Sequence, residues 1–153
     1  MRVIVLLVAA STLAAGAALA AAPLSRSDVA RVQAQRHHGY EQLGRANRMA
    51  KQAIDKKDLA ATRTAANQIG ALAAQAPTWF PIGSGPEGGK TYAKAAIWQN
   101  RADFDARMRN FGVAARAFQA AAAGGDLAAI RTAHGRLGQT CSACHESYRG
   151  KHD

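Results

Sequence analysis

Near the C-terminus stand Cys141-Ser142-Ala143-Cys144-His145, and these two cysteines are the only ones in a chain of 153 residues. Two thiols three apart, followed at once by an imidazole, have the spacing of covalent haem attachment. The thiols add across the two vinyl groups of the porphyrin, and the histidine ligates the iron. On a helix turning about 100° per residue, with Cys141 as zero, Cys144 falls near −60° and His145 near +40°. One helical turn therefore offers both sulfurs and the imidazole to one edge and face of a flat ring.

Other chemistries for C-x-x-C ask for different surroundings. A thioredoxin-like pair belongs in a βαβ setting at a helix N-terminus, which lowers the thiol pKa; this pair falls late in a helical pattern. A zinc site needs four ligands, and the sequence has no second C-x-x-C and no H-x-x-x-H. Haem attachment is the reading that remains.

The rest of the chain must deliver that turn to its place. Residues 1–20 read as a cleavable export signal: Arg2 is the positive start, Val3 to Leu19 the apolar stretch, and Ala18-Leu19-Ala20 the small-residue cleavage site. Cleavage after Ala20 leaves residues 21–153, one domain by length. No later stretch is long and apolar enough to span a bilayer. Export agrees with the cysteine usage, because an oxidising compartment favours pairing two lone thiols and haem attachment consumes both. Lys and Arg number 20 against 10 Asp and Glu, a formal charge of +10 from which loss of Arg2 takes one. Such a charge steers the chain toward an acidic partner protein or an anionic membrane surface. A solvated basic face without a dedicated partner accounts for it equally well, and nucleic acid is not expected outside the cytoplasm.

Four helices are expected and strand signals are nearly absent. Ser25 or Ser27 caps a first helix running to about Lys57. Its face is Val29, Val32, Arg36, Tyr40, Leu43, Asn47, Ala50 and Ile54, at spacings of three and four. Asp58 caps a second helix carrying Leu59, Ala66, Ile69 and Leu72, which ends before Pro77. A loop rich in Gly and Pro then runs from Pro77 to about Trp98. Asn100 caps a third helix through Phe104, Met108, Phe111, Ala115 and Phe118, closed by Gly124-Gly125. Asp126 caps the last helix, which carries Leu127, Ile130, His134, Leu137 and the haem motif.

An internal echo supports this layout. Asp58-Leu-Ala-Ala-Thr-Arg-Thr-Ala65 matches Asp126-Leu-Ala-Ala-Ile-Arg-Thr-Ala133 at seven of eight positions, and Gly70 matches Gly138. Each copy opens the second helix of an αα-hairpin, and two copies are too few for a solenoid. Short links within hairpins and one long crossover between them describe an all-α, antiparallel four-helix bundle. The many alanines allow close helix approach, and a haem supplies apolar bulk that such small side chains do not.

These residues resemble the cytochrome c′ family over nearly the whole exported chain. The resemblance rests on Arg36-His-His-Gly39-Tyr40-Glu41, on Phe80 to Gly89 leading to Ile97-Trp98, on Ala123-Gly-Gly-Asp126-Leu127, and on Cys141 to His145 continuing to Tyr148-Arg149. It implies a periplasmic haem c protein, commonly a homodimer, with a five-coordinate, high-spin iron that binds nitric oxide and carbon monoxide. It also implies a link to nitric oxide handling and electron transfer, and no enzymatic activity.

Carried over by position, Cys141 and Cys144 resemble the thioether cysteines and His145 the iron ligand. Arg36 resembles the first-helix arginine near a haem propionate, Tyr40 the non-ligating residue over the open iron site, and His37 a residue near the haem edge often held by glutamine. Glu87 resembles the glutamate of the glycine-rich loop, and Arg149 the arginine beside the iron-ligating histidine. Two departures stand out: Ser84-Gly-Pro86 permutes the family's usual proline and glycine order, and His134 replaces a common aromatic.

Each of these residues also has a plainer role. Tyr40 could be a hydrogen-bonded core tyrosine and Arg36 a solvated helix residue. His134 reads as a flat packing substitute. Trp79, Trp98, Phe104, Phe111 and Phe118 read as core or loop packing. Gly44, lacking a Cβ, would admit a flat group beside Tyr40. The alternative function is a low-spin electron-transfer cytochrome on the same bundle, with a sixth ligand from the first helix. Met49 lies roughly 13 Å of rise beyond Tyr40, so His37 is the better-placed candidate. A haem peroxidase lacks a distal acid/base pair.

Overall fold

Three of the four long helices begin on a side-chain oxygen that takes an otherwise unpaired backbone N–H. In the computed structural model, which describes residues 23–150, Ser25 accepts from the N–H of Asp28 at 3.1 Å and starts α1 (Arg26–Asp55). Asp58 accepts from Ala61 at 2.9 Å and starts α2 (Leu59–Gln75). Asp126 accepts from Ala128 at 2.9 Å and starts the last helix, α5 (Leu127–Tyr148), which carries the haem motif. The expected export signal at 1–20 lies outside the described residues.

The remaining long helix departs from expectation. Asn100 stands at the start of α4 (Arg101–Gly124), but its side chain makes no capping bond. A single preceding turn, α3 (Ala96–Gln99), sends the Asn100 N–H to Ala96 O, so the chain bends at Asn100 rather than starting afresh there. The loop expected from Pro77 to Trp98 likewise contains short 3-10 turns at Ala76–Trp79 and Pro86–Gly88. At the far end of α4 the expected stop is present: Gly125 takes φ 81°, and its N–H reaches Ala121 O at 3.1 Å.

The helices form an all-α four-helix bundle. α1 packs along α2, α2 on α4 and α4 on α5, whereas α1 and α5 touch only sparsely. Alanine makes the closed seams tight: Ala46, Ala50, Ala65 and Ala66 are all 0% exposed. On α1 the expected face is therefore split. Val29, Val32, Ala50 and Ile54 are buried, together with Ala46 and Ala53, whereas Tyr40 and Leu43 are only partly buried and Asn47 is exposed. The last three look toward the gap between α1 and α5.

The crossover closes one end of that gap. Trp79 and Phe80 are buried, and the Trp98 indole and Arg101 hold Pro81 O and Phe80 O at 3.0 and 2.8 Å. Its last stretch then pairs with the end of α5. Ala93 bridges Arg149 in antiparallel sense, with Lys94 N–H on Tyr148 O and Gly150 N–H on Tyr92 O. No described helix is long and apolar enough to cross a membrane.

Candidate haem-binding cavity

Because α1 and α5 stand apart, the bundle holds a cavity of about 1430 Å³ between them. α5 supplies one wall through Leu137, Cys141, Cys144 and His145, and α1 supplies another through Arg36, His37, Tyr40, Leu43 and Gly44. Phe104, Met108 and Phe111 of α4 form the floor, and Phe80, Thr91 and Tyr92 of the crossover close the side. Seven of the eight residues assigned from sequence thus meet at one place: Cys141, Cys144, His145, Arg36, His37, Tyr40 and Arg149.

Glu87 is the exception. It sits exposed in the Pro86–Gly88 turn, and its Oε1 accepts from the Gly85 N–H at 3.1 Å. Its observed contact braces the loop, while the neighbouring Gly88 and Gly89 line the cavity.

On the α5 wall both thiols are partly buried, and that burial raises their pKa, so they are protonated at neutral pH. His145 is exposed by area, yet the desolvation it meets in the wall, followed by Arg149, lowers its pKa. The imidazole is thus held neutral, the form that ligates a metal.

On the α1 wall, Tyr40 packs edge-on against Trp79 (centroids 5.3 Å apart) and Phe80 (6.1 Å). Burial pushes its pKa up, the nearby Cys144 thiol adds to this, and Arg36 opposes it. The side chain stays a phenol at neutral pH, a poor metal ligand in that form.

Arg36 is 4% exposed and is not a solvated helix residue. It donates to Trp79 O and Ser84 Oγ at 3.2 and 3.3 Å, and to Ser84 O and Thr91 Oγ1 at 3.0 and 2.9 Å. Its guanidinium also lies 5.0 Å from the Phe80 ring centre. The burial that lowers its pKa is offset by Tyr40 and Glu87. All four acceptors are neutral, and the carboxylate that acts on this buried positive charge, Glu87, belongs to the loop.

Sequence reasoning missed Ser84, Thr91 and Gly39. Gly39 lets the crossover pack closely on α1: a Cβ there would fall 2.4 Å from the Trp79 ring, whereas one at Gly44 meets only the Arg48 guanidinium at 3.4 Å. The signal available was the spacing, which puts Gly39 three residues after Arg36 and four before Leu43, beside the cavity face. Met49 is half exposed and does not line the cavity. His134 lies in a small surface pocket of its own, its ring tilted against Phe118 with centroids 5.2 Å apart and hydrogen-bonded to Asn47 at 2.9 Å.

These residues fit a covalent haem. Two thiols and a neutral imidazole share one wall, aromatic and aliphatic side chains make the others, and the buried Arg36 cation lines the same cavity. The volume exceeds the roughly 300–1,000 Å³ of ordinary small-ligand pockets. Among the described residues, no group of three or more His, Cys, Asp or Glu side chains gathers as a metal site.

Comparison with known proteins agrees. The family model described as Cytochrome C′ matches residues 31–149. A cytochrome c′ of Alcaligenes xylosoxydans xylosoxydans is 40% identical over 73 residues, 48% of this chain and 56% of that relative. The chain thus spans a little over half the length of that curated relative. A solved cytochrome c′, described by its ligand-controlled dimer dissociation, is 31% identical with a TM-score of 0.74 over 85% of this chain and 100% of its own. A variant of cytochrome c′ from Alcaligenes xylosoxidans, solved as its nitric oxide complex, shares the fold at 23% identity and a TM-score of 0.72, covering 85% of this chain and 100% of that one. With the match running from α1 past the end of α5 and taking in the cysteine–histidine motif, the chain belongs to the cytochrome c′ family of non-enzymatic haem proteins.

Proposed function

We propose that this is a periplasmic haem c protein with one haem attached through Cys141 and Cys144, ligated by His145 alone, that binds nitric oxide and carbon monoxide. Family membership implies covalent haem c and supports this reading. The haem, when bound, supplies an iron with an open position for a diatomic gas. The chain's residues decide how that position is reached. Arg36 meets a propionate through a charge-assisted contact, with Thr91 and Ser84 holding its guanidinium. His37 and Arg149 lie at the cavity rim, and Glu87 steadies the loop. The homodimer expected of the family is part of the proposal, supported by the dimer named for one relative. An acidic electron-transfer partner would meet a rim carrying Arg45, Arg48 and Lys90.

The observation that carries the reading is that Tyr40 and His145 stand on two walls of one cavity, α1 and α5. Tyr40 is too weak a ligand to occupy the iron, yet its ring fills the space beside Trp79 and Phe80. A gas on that side must push the ring away, so the competent conformation is a minor population and affinity falls by its fraction. If displacement costs about 1.5–3 kcal/mol, on the scale of exposing a packed apolar side chain, the penalty is roughly tenfold to a hundredfold. Carbon monoxide feels it in full. On the α5 wall the His145 ring is exposed beside Arg149, so a ligand such as nitric oxide approaching from there would not have to displace Tyr40. Tyr40→Ala should raise carbon monoxide affinity at least about tenfold and alter nitric oxide affinity less. Equal carbon monoxide affinities in wild type and variant would sink the gate.

The low-spin alternative needs a sixth ligand from α1, and His37 lines the cavity while its Nε2 lies 3.4 Å from Glu41. A low-spin spectrum abolished by His37→Ala would establish it.

A further inference from the structure

The turn that carries His145 is gripped from outside the cavity by a cluster on α4. Arg107 donates through one terminal nitrogen to Ala143 O at 2.6 Å, the carbonyl between the two cysteines. Its Nε donates to Asp103 Oδ2 at 2.7 Å. The same carboxylate oxygen accepts from the Tyr148 hydroxyl at 2.5 Å. Tyr148 is 5% exposed, and its ring lies edge-on to Phe104 at 5.3 Å and 5.6 Å from the Arg107 guanidinium. The two anchored residues, Ala143 and Tyr148, bracket His145 from before and after.

The crossover holds the same turn from a different direction. Lys94 Nζ donates to Glu146 O at 3.3 Å, and its backbone N–H donates to Tyr148 O at 3.0 Å. Ordinary helix geometry already pairs an interior carbonyl such as Ala143 O with the N–H four residues on. The Arg107 contact is therefore extra to the helix. Side chains of Arg107 and Asp103 are 33% and 52% exposed, and an ion pair that open to water adds little to overall stability. Its geometric consequence is larger than its energetic one, because it fixes where this turn lies against α4.

We propose that Asp103 and Arg107 are positioning residues for His145: by holding Ala143 and Tyr148 they fix the angle at which α5 presents its imidazole to the haem. The inference rests on the haem reading given above. Groups at such one-removed positions orient metal ligands in many sites, and losing them weakens the ligand's hold without unfolding the protein.

The test uses the haem-loaded protein as wild type, Asp103→Asn, Arg107→Met and Arg107→Lys, with Arg63→Met as control. Arg63 also donates to a neighbouring helix's carbonyl, Ala122 O at 3.0 Å, but is remote from the cavity. Two readouts are taken on each: the iron–histidine stretching band of the ferrous form, and amide exchange in a peptide covering Cys141 to Arg149. Arg107→Met and Asp103→Asn should shift and broaden the band and speed exchange in that peptide, with an unchanged urea midpoint. Arg107→Lys, keeping the charge and one donor, should restore part of both. An unchanged band in Arg107→Met and Asp103→Asn overturns the proposal, as does a change that appears only with a lowered midpoint or equally in Arg63→Met. A wild type without an iron–histidine band defeats the haem reading itself, and this proposal with it.

Discussion

Helices α2 and α5 open with nearly the same eight residues, Asp58 to Ala65 and Asp126 to Ala133, and the register carries on beyond them. Ile69 corresponds to Leu137, Ala73 to Cys141 and Ala76 to Cys144. Ile69 and Leu137 are both buried, at 1% and 2%. Past that point the two chains part. Ala73 and Ala76 are 3% and 0% exposed in the closed side of the bundle, whereas Cys141 and Cys144 are only partly buried in the cavity wall. Gly70 is packed so closely that a Cβ would fall 2.1 Å from the Gln119 carboxamide, while nothing lies within 4 Å of the same point on Gly138. The haem motif thus occupies the positions where an ordinary bundle helix keeps its core alanines. What makes them a site is that α5 turns this face onto the space beside α1 instead of onto a neighbouring helix.

The comparison breaks most visibly under a bulky substitution. Ala73→Leu should destabilise the bundle by about 1–3 kcal/mol, because overpacking a filled seam forces side chains and backbone to move. Cys141→Leu, at the matched position, meets the cavity and should cost much less. Urea unfolding of the two haem-free chains decides it, and equal losses would mean that α5 is packed as α2 is.

The paired glycines give a smaller effect. Gly138→Ala should stabilise by about 0.5–1 kcal/mol, the helix gain from replacing glycine where nothing obstructs the new methyl. Gly70→Ala should stay near zero, because swinging the Gln119 side chain away offsets the same gain. A larger stabilisation at Gly70 than at Gly138 would contradict the packing described.

The smallest effect is a pH dependence belonging to α5 alone. His134 has its pKa lowered from 6.5, first by burial and then by Lys51, with Asp55 opposing. Arg131 and Gly135 complete its pocket, and Ala66, the matching residue of α2, has nothing to titrate. A histidine whose folded pKa lies below its unfolded value binds more protons when unfolded. Its contribution is therefore present in full above pH 6.5 and is lost as pH falls below 6.5 toward the folded value. The depressed carboxylates Asp28, Asp55 and Asp103 act only near or below 3.8, in a separate window. In the haem-loaded protein His134→Phe should flatten the rise in melting temperature as pH increases up to 6.5. An unchanged slope would place the dependence elsewhere.

Local chemistry made most of the helical layout legible. Ser25, Asp58 and Asp126 cap as their types suggest, and Gly125 takes the left-handed turn that closes α4. At Asn100 the type misled: α3 precedes it and takes its N–H on Ala96 O, and its side chain makes no capping bond. In the site, Arg36, Tyr40, Cys141, Cys144 and His145 all line the cavity; spacing put the last three on one turn and the first two on one face of α1, while the roles of Arg36 and Tyr40 came from the family resemblance. Spacing could not show that Arg36 also clasps Ser84 and Thr91, since those partners lie 48 and 55 residues away. Nor could it show Arg107 on Ala143 O, a contact set by how α4 lies against α5. Glu87 lies in the glycine-rich loop, where the turn at Pro86–Gly88 directs its carboxylate back to Gly85. Residues within one turn of each other are fixed by helix geometry, whereas contacts across the bundle depend on packing that spacing does not encode.

On the reading proposed above, the cavity between α1 and α5 holds a haem joined to the chain at both cysteines. Intact mass after acid–acetone extraction of the purified protein is the test. One haem should stay on each chain, and Cys141→Ser with Cys144→Ser should release it entirely. Wild-type protein that surrenders all its haem to the extraction would contradict the claim.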